Sequence, residues 1–257
     1  METFDRSIEL GGLPFRYRET GGPTAPPLVA LHAMGRDAGT WDAVAAALSD
    51  RYRVLALDQR GHGASARPGV YSFELMRDDL ARFADALGLE RFTLLGHSMG
   101  GTVAYLFAEE WPGRVERLIL EDTPPPVVGP RRDAPAAPAA PAAPAAPHEP
   151  AAPAAPHEPV SFDRRLVDPL MRQLSAPDPA WWGRLGAITA PTLIVAGGAT
   201  SFVPQDQLAD VARRIPACRL APVEGAGHRV HDNKPDAFLG VVRAFLVDDM
   251  PPIHSAC

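Results

Sequence analysis

The sequence predicts an α/β fold in which a mostly parallel, doubly wound sheet carries helices on both faces. Short apolar runs point to it first: Leu28-Val29-Ala30-Leu31 and Thr192-Leu193-Ile194-Val195-Ala196 have the composition of strands buried on both sides. Amphipathic stretches lie between such runs, and strands alternating with helices require crossover units and hence a parallel sheet.

Taken in order, Leu13–Glu19 alternates weakly and is expected to be an early strand, with Leu28–Leu31 the next. Trp41–Leu48 reads as a helix, with Val44, Ala45 and Leu48 at helical spacing. Arg53–Leu57 is a strand, Phe73–Leu87 an amphipathic helix and Phe92–Leu95 a strand. Ser98–Glu110 is a helix stopped by Trp111-Pro112-Gly113, and Leu118–Leu120 is the following strand. Short helical pieces are expected over Val160–Leu174 and Asp178–Leu185. After the strand Thr192–Ala196 come a helix over Gln205–Ile215, a strand over Cys218–Val223 and a last helix over Lys234–Val247.

The alternation is interrupted once. Residues 123–178 are expected to be an insertion between two segments of one core, 1–122 and 179–257. Within it, residues about 133–159 are a proline- and alanine-rich repeat in which Ala142–Pro150 recurs unchanged as Ala151–Pro159. Prolines lack a backbone donor and alanines bury little, so extended disorder is the expectation there. His148 and His157 recur with the repeat, and on such a tether they make a poor metal site.

A chain of 257 residues with 46% hydrophobic residues can bury one sizeable core. A net charge of −6 argues against nucleic acid as a partner, because such binders carry a basic face. No apolar run approaches the roughly 18 residues of a membrane span, and Met1–Arg6 lacks the pattern of a secretory signal. Cys218 and Cys257 do not form a metal motif. These features lead to the expectation of a cytoplasmic protein with no membrane partner, no cofactor and no metal.

The strongest chemical signal is Gly96-His97-Ser98-Met99-Gly100, a G-x-S-x-G after one expected strand and opening an expected helix. A sharp strand-to-helix turn holds the serine in a strained conformation with its hydroxyl exposed, and side chains at the flanking glycines would collide. Three further motifs accompany it. They are Leu31-His32-Ala33-Met34-Gly35, Asp58-Gln59-Arg60-Gly61-His62-Gly63-Ala64-Ser65 and Gly225-Ala226-Gly227-His228.

With these motifs in this order, the chain resembles the α/β-hydrolases of the esterase, lactonase and cofactor-free haloperoxidase type over nearly everything outside the insertion. The resemblance implies Ser98 as nucleophile and His228 as general base, and it puts oxyanion donors on the backbone N–H groups of Met34 and Met99. These roles also fit the chemistry: a serine hydroxyl needs a neighbouring base, and the intermediate's oxyanion needs fixed donors. Ala33 departs from the usual glycine, which is tolerable if φ is negative there. His231 is the other candidate base but lacks the Gly-x-Gly-His approach. His97 is expected to pack away from the reaction, His32 to organise its loop, and His62 to sit in a turn.

The acid departs from the common pattern. In most of the family it follows the strand that here is Thr192–Ala196, yet Thr200 occupies that place, and Asp206 falls inside a helix. Some members carry the acid one strand earlier, so Asp122 in Leu120-Glu121-Asp122-Thr123 is the candidate. Glu121 beside it should point to the opposite face.

Gly61–Ala66 also fits the G-x-G-x-x-[GA] of a dinucleotide site, but Arg67-Pro68-Gly69 breaks the helix that such a site requires. The expected activity is hydrolysis of a small ester or lactone through an acyl-enzyme. Carbon–carbon bond hydrolysis, thioester cleavage, perhydrolysis and ligand binding without catalysis are the alternatives in the same pocket.

Overall fold

A computed structural model describes residues 2–125, 162–176 and 180–247. Its centre is an eight-stranded sheet in the order β1-β2-β4-β3-β5-β6-β7-β8. The strands are β1 (Thr3–Leu10), β2 (Leu13–Thr20), β3 (Pro27–Leu31), β4 (Arg53–Leu57), β5 (Phe92–His97), β6 (Val115–Glu121), β7 (Thr192–Ala196) and β8 (Cys218–Pro222). β1 pairs antiparallel with β2 and β2 with β4, and every other pairing is parallel.

The side-chain alternation of the strands splits the interior into two layers. Val29, Leu31, Leu94 and Leu120 face one side, where they meet α2 (Phe73–Ala86), α3 (Met99–Glu110) and α6 (Gln205–Arg214) through Phe83, Val103, Phe107 and Leu208. Leu28, Ala30, Leu95 and Ile119 face the other, against α1 (Asp42–Leu48) and α8 (Pro235–Val247) through Val44, Leu48, Phe238 and Phe245. Because both faces are covered, β3 and β7 are almost entirely apolar.

Two elements differ from the sequence reading. β1 has no counterpart in it: most of its residues are exposed or half-exposed, so Thr3–Leu10 lacks the apolar pattern of a core strand. It is ordered by pairing along its whole length with β2 at the sheet edge. A short helix α7 (Val230–Asn233) follows the last strand, too brief to show a helical period. The stretch read as helical over 160–174 is, where described, a 3-10 turn at Arg164–Leu166 leading into α4 (Val167–Ser175). The next piece is α5 (Trp181–Arg184) with a 3-10 turn at Leu185–Ala187. The proline-alanine repeat, with His148 and His157, lies outside the described residues.

The Asp58–Ser65 motif is a structural knot rather than a ligand loop. The Asp58 carboxylate accepts from the amides of Ala38 at 2.7 Å and Ala64 at 3.0 Å. Ser65 Oγ donates to the Asp58 carbonyl at 2.6 Å and accepts from the Arg16 amide at 2.9 Å. Arg60 reaches inward to a buried, two-pronged pair with Asp79 at 2.5 and 2.6 Å. Gly63 has φ 51°, and a Cβ there would overlap the Asp58 carboxylate. After Leu57 the next helix begins only at Phe73, so the fragment with the dinucleotide pattern has no helix N-terminus to offer.

Candidate active site

β5 ends at His97 and α3 begins at Met99, which leaves Ser98 alone to make the turn. Its backbone sits at φ 53°, ψ −116°, a region that side chains other than glycine's rarely enter. The surroundings enforce this. The Ser98 amide donates to the Glu121 carbonyl at 3.1 Å, and the Ser98 carbonyl accepts from Thr102 at 3.0 Å. A Cβ on Gly100 would strike the carbonyl oxygen of Leu31, and one on Gly101 the side chain of Thr123. The glycines therefore let α3 settle against β3 and β6, and Ser98 absorbs the remaining bend.

One strand over, Asp122 is the other non-glycine residue with positive φ (39°) among the described residues. Its amide still donates to Val195 of β7 at 2.8 Å, so the chain turns while attached to the sheet. The carboxylate is fully buried and surrounded by donors. His228 Nδ1–H donates to Oδ2 at 2.8 Å, and Ser201 Oγ–H donates to the same oxygen. The Gly197 amide donates to Oδ1 at 2.9 Å, with Gln205 Nε2 at 3.3 Å. Gly197 also accepts from the Gly227 amide at 2.9 Å, and a Cβ on Gly197 would overlap the Gly227 carbonyl. That bare contact brings the His228 loop down onto the strand ends.

Thr200 is exposed and makes no bond to His228, and Asp206 is exposed in the first turn of α6. The bonds that Ser201 and Gln205 make to Asp122 are missing from the sequence reading. They join strand ends some 80 positions apart in sequence, and a polar pair in a loop carries no signal of that.

Glu121 points to the other side of β6 and holds the second histidine of the same segment. It accepts from the His231 amide at 2.9 Å and from His231 Nδ1 at 2.7 Å, while His231 Nε2 lies 3.1 Å from Thr40 Oγ. Burial alone would raise the Glu121 pKa, but the imidazoles of His97 and His231 and the bonds from His231 lower it. Burial likewise opposes charge on His231, and Glu121 outweighs it and raises that pKa. His97 Nε2–H donates to the His228 carbonyl at 2.7 Å, and burial lowers the His97 pKa to about 4, so it is neutral.

His97, Glu121 and His231 bring potential ligand atoms within 4.8 Å of one another, the arrangement among the described residues nearest to a metal site. The Glu121–His231 bonds already engage two of the three. His32 bonds the Ala33 carbonyl through Nδ1 at 2.8 Å and accepts from the Gln59 amide at 3.1 Å, which fixes the loop before Met34. His62 stacks on Phe162 in its turn.

Ser98, His228, Met34 and Met99 line one cavity of about 670 Å³, with Phe73, Met171, Leu174 and Phe202 among its apolar walls. Ala33 does not have positive φ; the left-handed turn falls on Gly35 at φ 76°. The Met99 amide is at the first turn of α3, where helix N–H groups have no partner within the helix. No helix among the described residues is long and apolar enough to cross a membrane.

A turn of this kind at the carboxyl end of a parallel sheet, opening on an apolar cavity beside a carboxylate-held histidine, is the architecture of a hydrolase. The family model described as alpha/beta hydrolase fold matches residues 26–143. The sn-1-specific diacylglycerol lipase ABHD11 of Mus musculus is 30% identical over 93% of this chain and 87% of its own length. Esterase YbfF of Escherichia coli (strain K12) is 26% identical over 86% of this chain and 93% of its own. The chain belongs to the α/β-hydrolase family and is an enzyme of that class. Solved structures agree in fold. A thermophilic esterase from Thermogutta terrifontis superposes with TM-score 0.74 at 24% identity, covering 95% of this chain and 98% of that one. The enol-lactonase from Burkholderia xenovorans LB400 gives 0.72 at 22%, covering 95% and 100%.

Proposed function

We propose that the chain is a serine hydrolase that cleaves a small ester or lactone through an acyl-enzyme. Ser98 is the nucleophile, His228 the base, Asp122 the acid, and the amides of Met34 and Met99 the oxyanion donors. The observation that carries the reading is the 2.8 Å bond between buried Asp122 and His228, which lines the same cavity as Ser98 in its strained turn.

With Nδ1–H committed to Asp122, His228 Nε2 keeps a lone pair for the Ser98 proton. Oγ attacks the substrate carbonyl carbon, the proton moves to Nε2, and the carbonyl oxygen takes the negative charge between the two amides. As the intermediate collapses, Nε2–H protonates the departing oxygen and the acyl group stays on Ser98. Water then attacks the acyl carbon while giving a proton to His228 Nε2, and collapse breaks the bond to Ser98 Oγ, which takes that proton back as the acid leaves. Asp122 stabilises the imidazolium in both halves.

We assign residues 1–122 and 179–257 to the core and 123–178 to a lid insertion in the chain order. Met171 and Leu174 from that segment line the cavity wall.

A fluorophosphonate should label the protein at Ser98 and leave Ser98→Ala unlabelled. Turnover should be found in a set of 4-nitrophenyl esters of graded chain length assayed beside lactones and thioesters. Ser98→Ala that keeps more than a few per cent of wild-type turnover on every substrate overturns the proposal.

A further inference from the structure

The cavity over Ser98 combines apolar walls with two guanidinium groups, Arg36 and Arg229, and no carboxylate among the described residues lines it. In a chain of net charge −6 this is a local reversal of sign. Both arginines lean on one atom: Arg36 Nη2 is 3.6 Å from Asp232 Oδ2, and Arg229 Nη1 is 3.4 Å from that same oxygen. Charge-assisted bonds of full strength are about 2.7–2.9 Å long, and a guanidinium has five N–H donors. One carboxylate therefore satisfies neither cation, and its second oxygen lies 3.5 Å from His231 Nε2.

The position of the pair matters as much as its charge. Arg229 follows His228 directly, Arg36 lies two residues after Met34, and both are tied to α7 just beyond the His228 loop. In the proposed reaction His228 delivers the proton to the departing atom, so the leaving group lies on the His228 side. The acyl part is left to the walls formed by Phe73, Met171 and Leu174.

From this placement, and resting on the proposed hydrolase reading, we infer that the enzyme's substrates are apolar acyl esters whose leaving group carries an anion, a carboxylate or a phosphate. Arg36 and Arg229 are the residues that select it. The two guanidiniums offer the anion the donors that Asp232 leaves unused.

A near-isosteric pair of esters tests this: 4-butanoyloxybenzoate, with an anionic leaving group, and 4-butanoyloxybenzamide, with a neutral one. At low ionic strength kcat/KM should favour the benzoate about fivefold, the worth of two half-exposed ion pairs, and the difference should lie mainly in KM. In about 0.5 M salt the preference should fall to within twofold, a measurement that needs no variant. The double variant Arg36→Gln/Arg229→Gln should bring the ratio near unity. Asp232→Asn should move it the other way, two- to threefold further toward the benzoate, because it frees both guanidiniums. Equal kcat/KM in the wild type, or a preference indifferent to salt and to all three substitutions, overturns the inference while a labelled Ser98 leaves the hydrolase reading standing. No turnover of either ester together with an unlabelled Ser98 overturns both.

Discussion

Replacing Asp122 with asparagine keeps the shape of the side chain and removes its charge, and the donors around it decide the outcome. Every bonded neighbour of the carboxylate gives a hydrogen: His228 and Ser201 to Oδ2, Gly197 and Gln205 to Oδ1. An amide can accept at only one of these positions. The Gly197 N–H is backbone and cannot turn, whereas the Ser201 hydroxyl and the Gln205 amide can. Asparagine will therefore keep its oxygen on Gly197 and turn its NH₂ toward His228. That forces Nδ1 to accept and puts the ring proton on Nε2, where it faces Ser98 and blocks base catalysis. With the charge also gone, kcat should fall by about 10⁴, the scale of the same change in another serine hydrolase triad. The assay is kcat on the best 4-nitrophenyl ester across pH, with fluorophosphonate labelling rate as a second readout. Asp206→Asn, exposed on α6, should cost less than about threefold. A mild Asp122→Asn, below about tenfold, beside a crippling Asp206→Asn would refute the reasoning.

Thr200→Asp in the Asp122→Asn background should recover part of the loss, since Thr200 Oγ1 lies only 3.8 Å from where a Cβ on Gly227 would be; kcat of the double variant measures it. Gly100→Ala should destabilise by about 2 kcal/mol, some 4–8 °C in Tm, because its Cβ would meet the immovable carbonyl of Leu31. Gly186→Ala, with nothing within 4 Å, is the control in the same thermal melt. Stability should fall as pH drops from 6.5 toward 4. His62 and His97 are each held by burial to a pKa of about 4 against 6.5 when unfolded, so the unfolded chain binds the extra protons in that window. Each contributes on the order of 3 kcal/mol by pH 4, and urea denaturation at pH 7, 5.5 and 4.5 reads the slope; stability that rises on acidification would contradict it. Deleting residues 135–159 behind a short linker should change Tm by only a few degrees, because closure entropy varies slowly with loop length.

What the sequence discloses depends on how local the physics is. The runs at Leu28–Leu31 and Thr192–Ala196 declare themselves because burial on both faces demands apolar residues throughout. Gly96–Gly100 declares its turn because the close approach of α3 to β3 excludes side chains. β1 is held by its partner strand, so its own residues need not be apolar, and the alternation of Phe4, Ile8 and Leu10, broken at Arg6, marks it only weakly. The Glu121–His231 pair illustrates the same limit. A glutamate at a strand end and a histidine 110 residues later become one buried hydrogen-bonded pair only through the sheet that joins them. Ser201 and Gln205 acquire their bond to Asp122 in the same way. Arg36 and Arg229, which look like ordinary surface charge in the sequence, gain meaning only when both are found beside one aspartate at one cavity.

The backbone of Ser98 has an implication for the history of the chain. Its conformation suits glycine, and holding a side chain there costs about 1–3 kcal/mol, a sizeable fraction of what keeps a domain folded. A descendant with no use for the hydroxyl could trade it for glycine and become the more stable protein. Drift toward stability alone would therefore empty this position, and the serine that occupies it argues for selection acting on chemistry rather than on the fold.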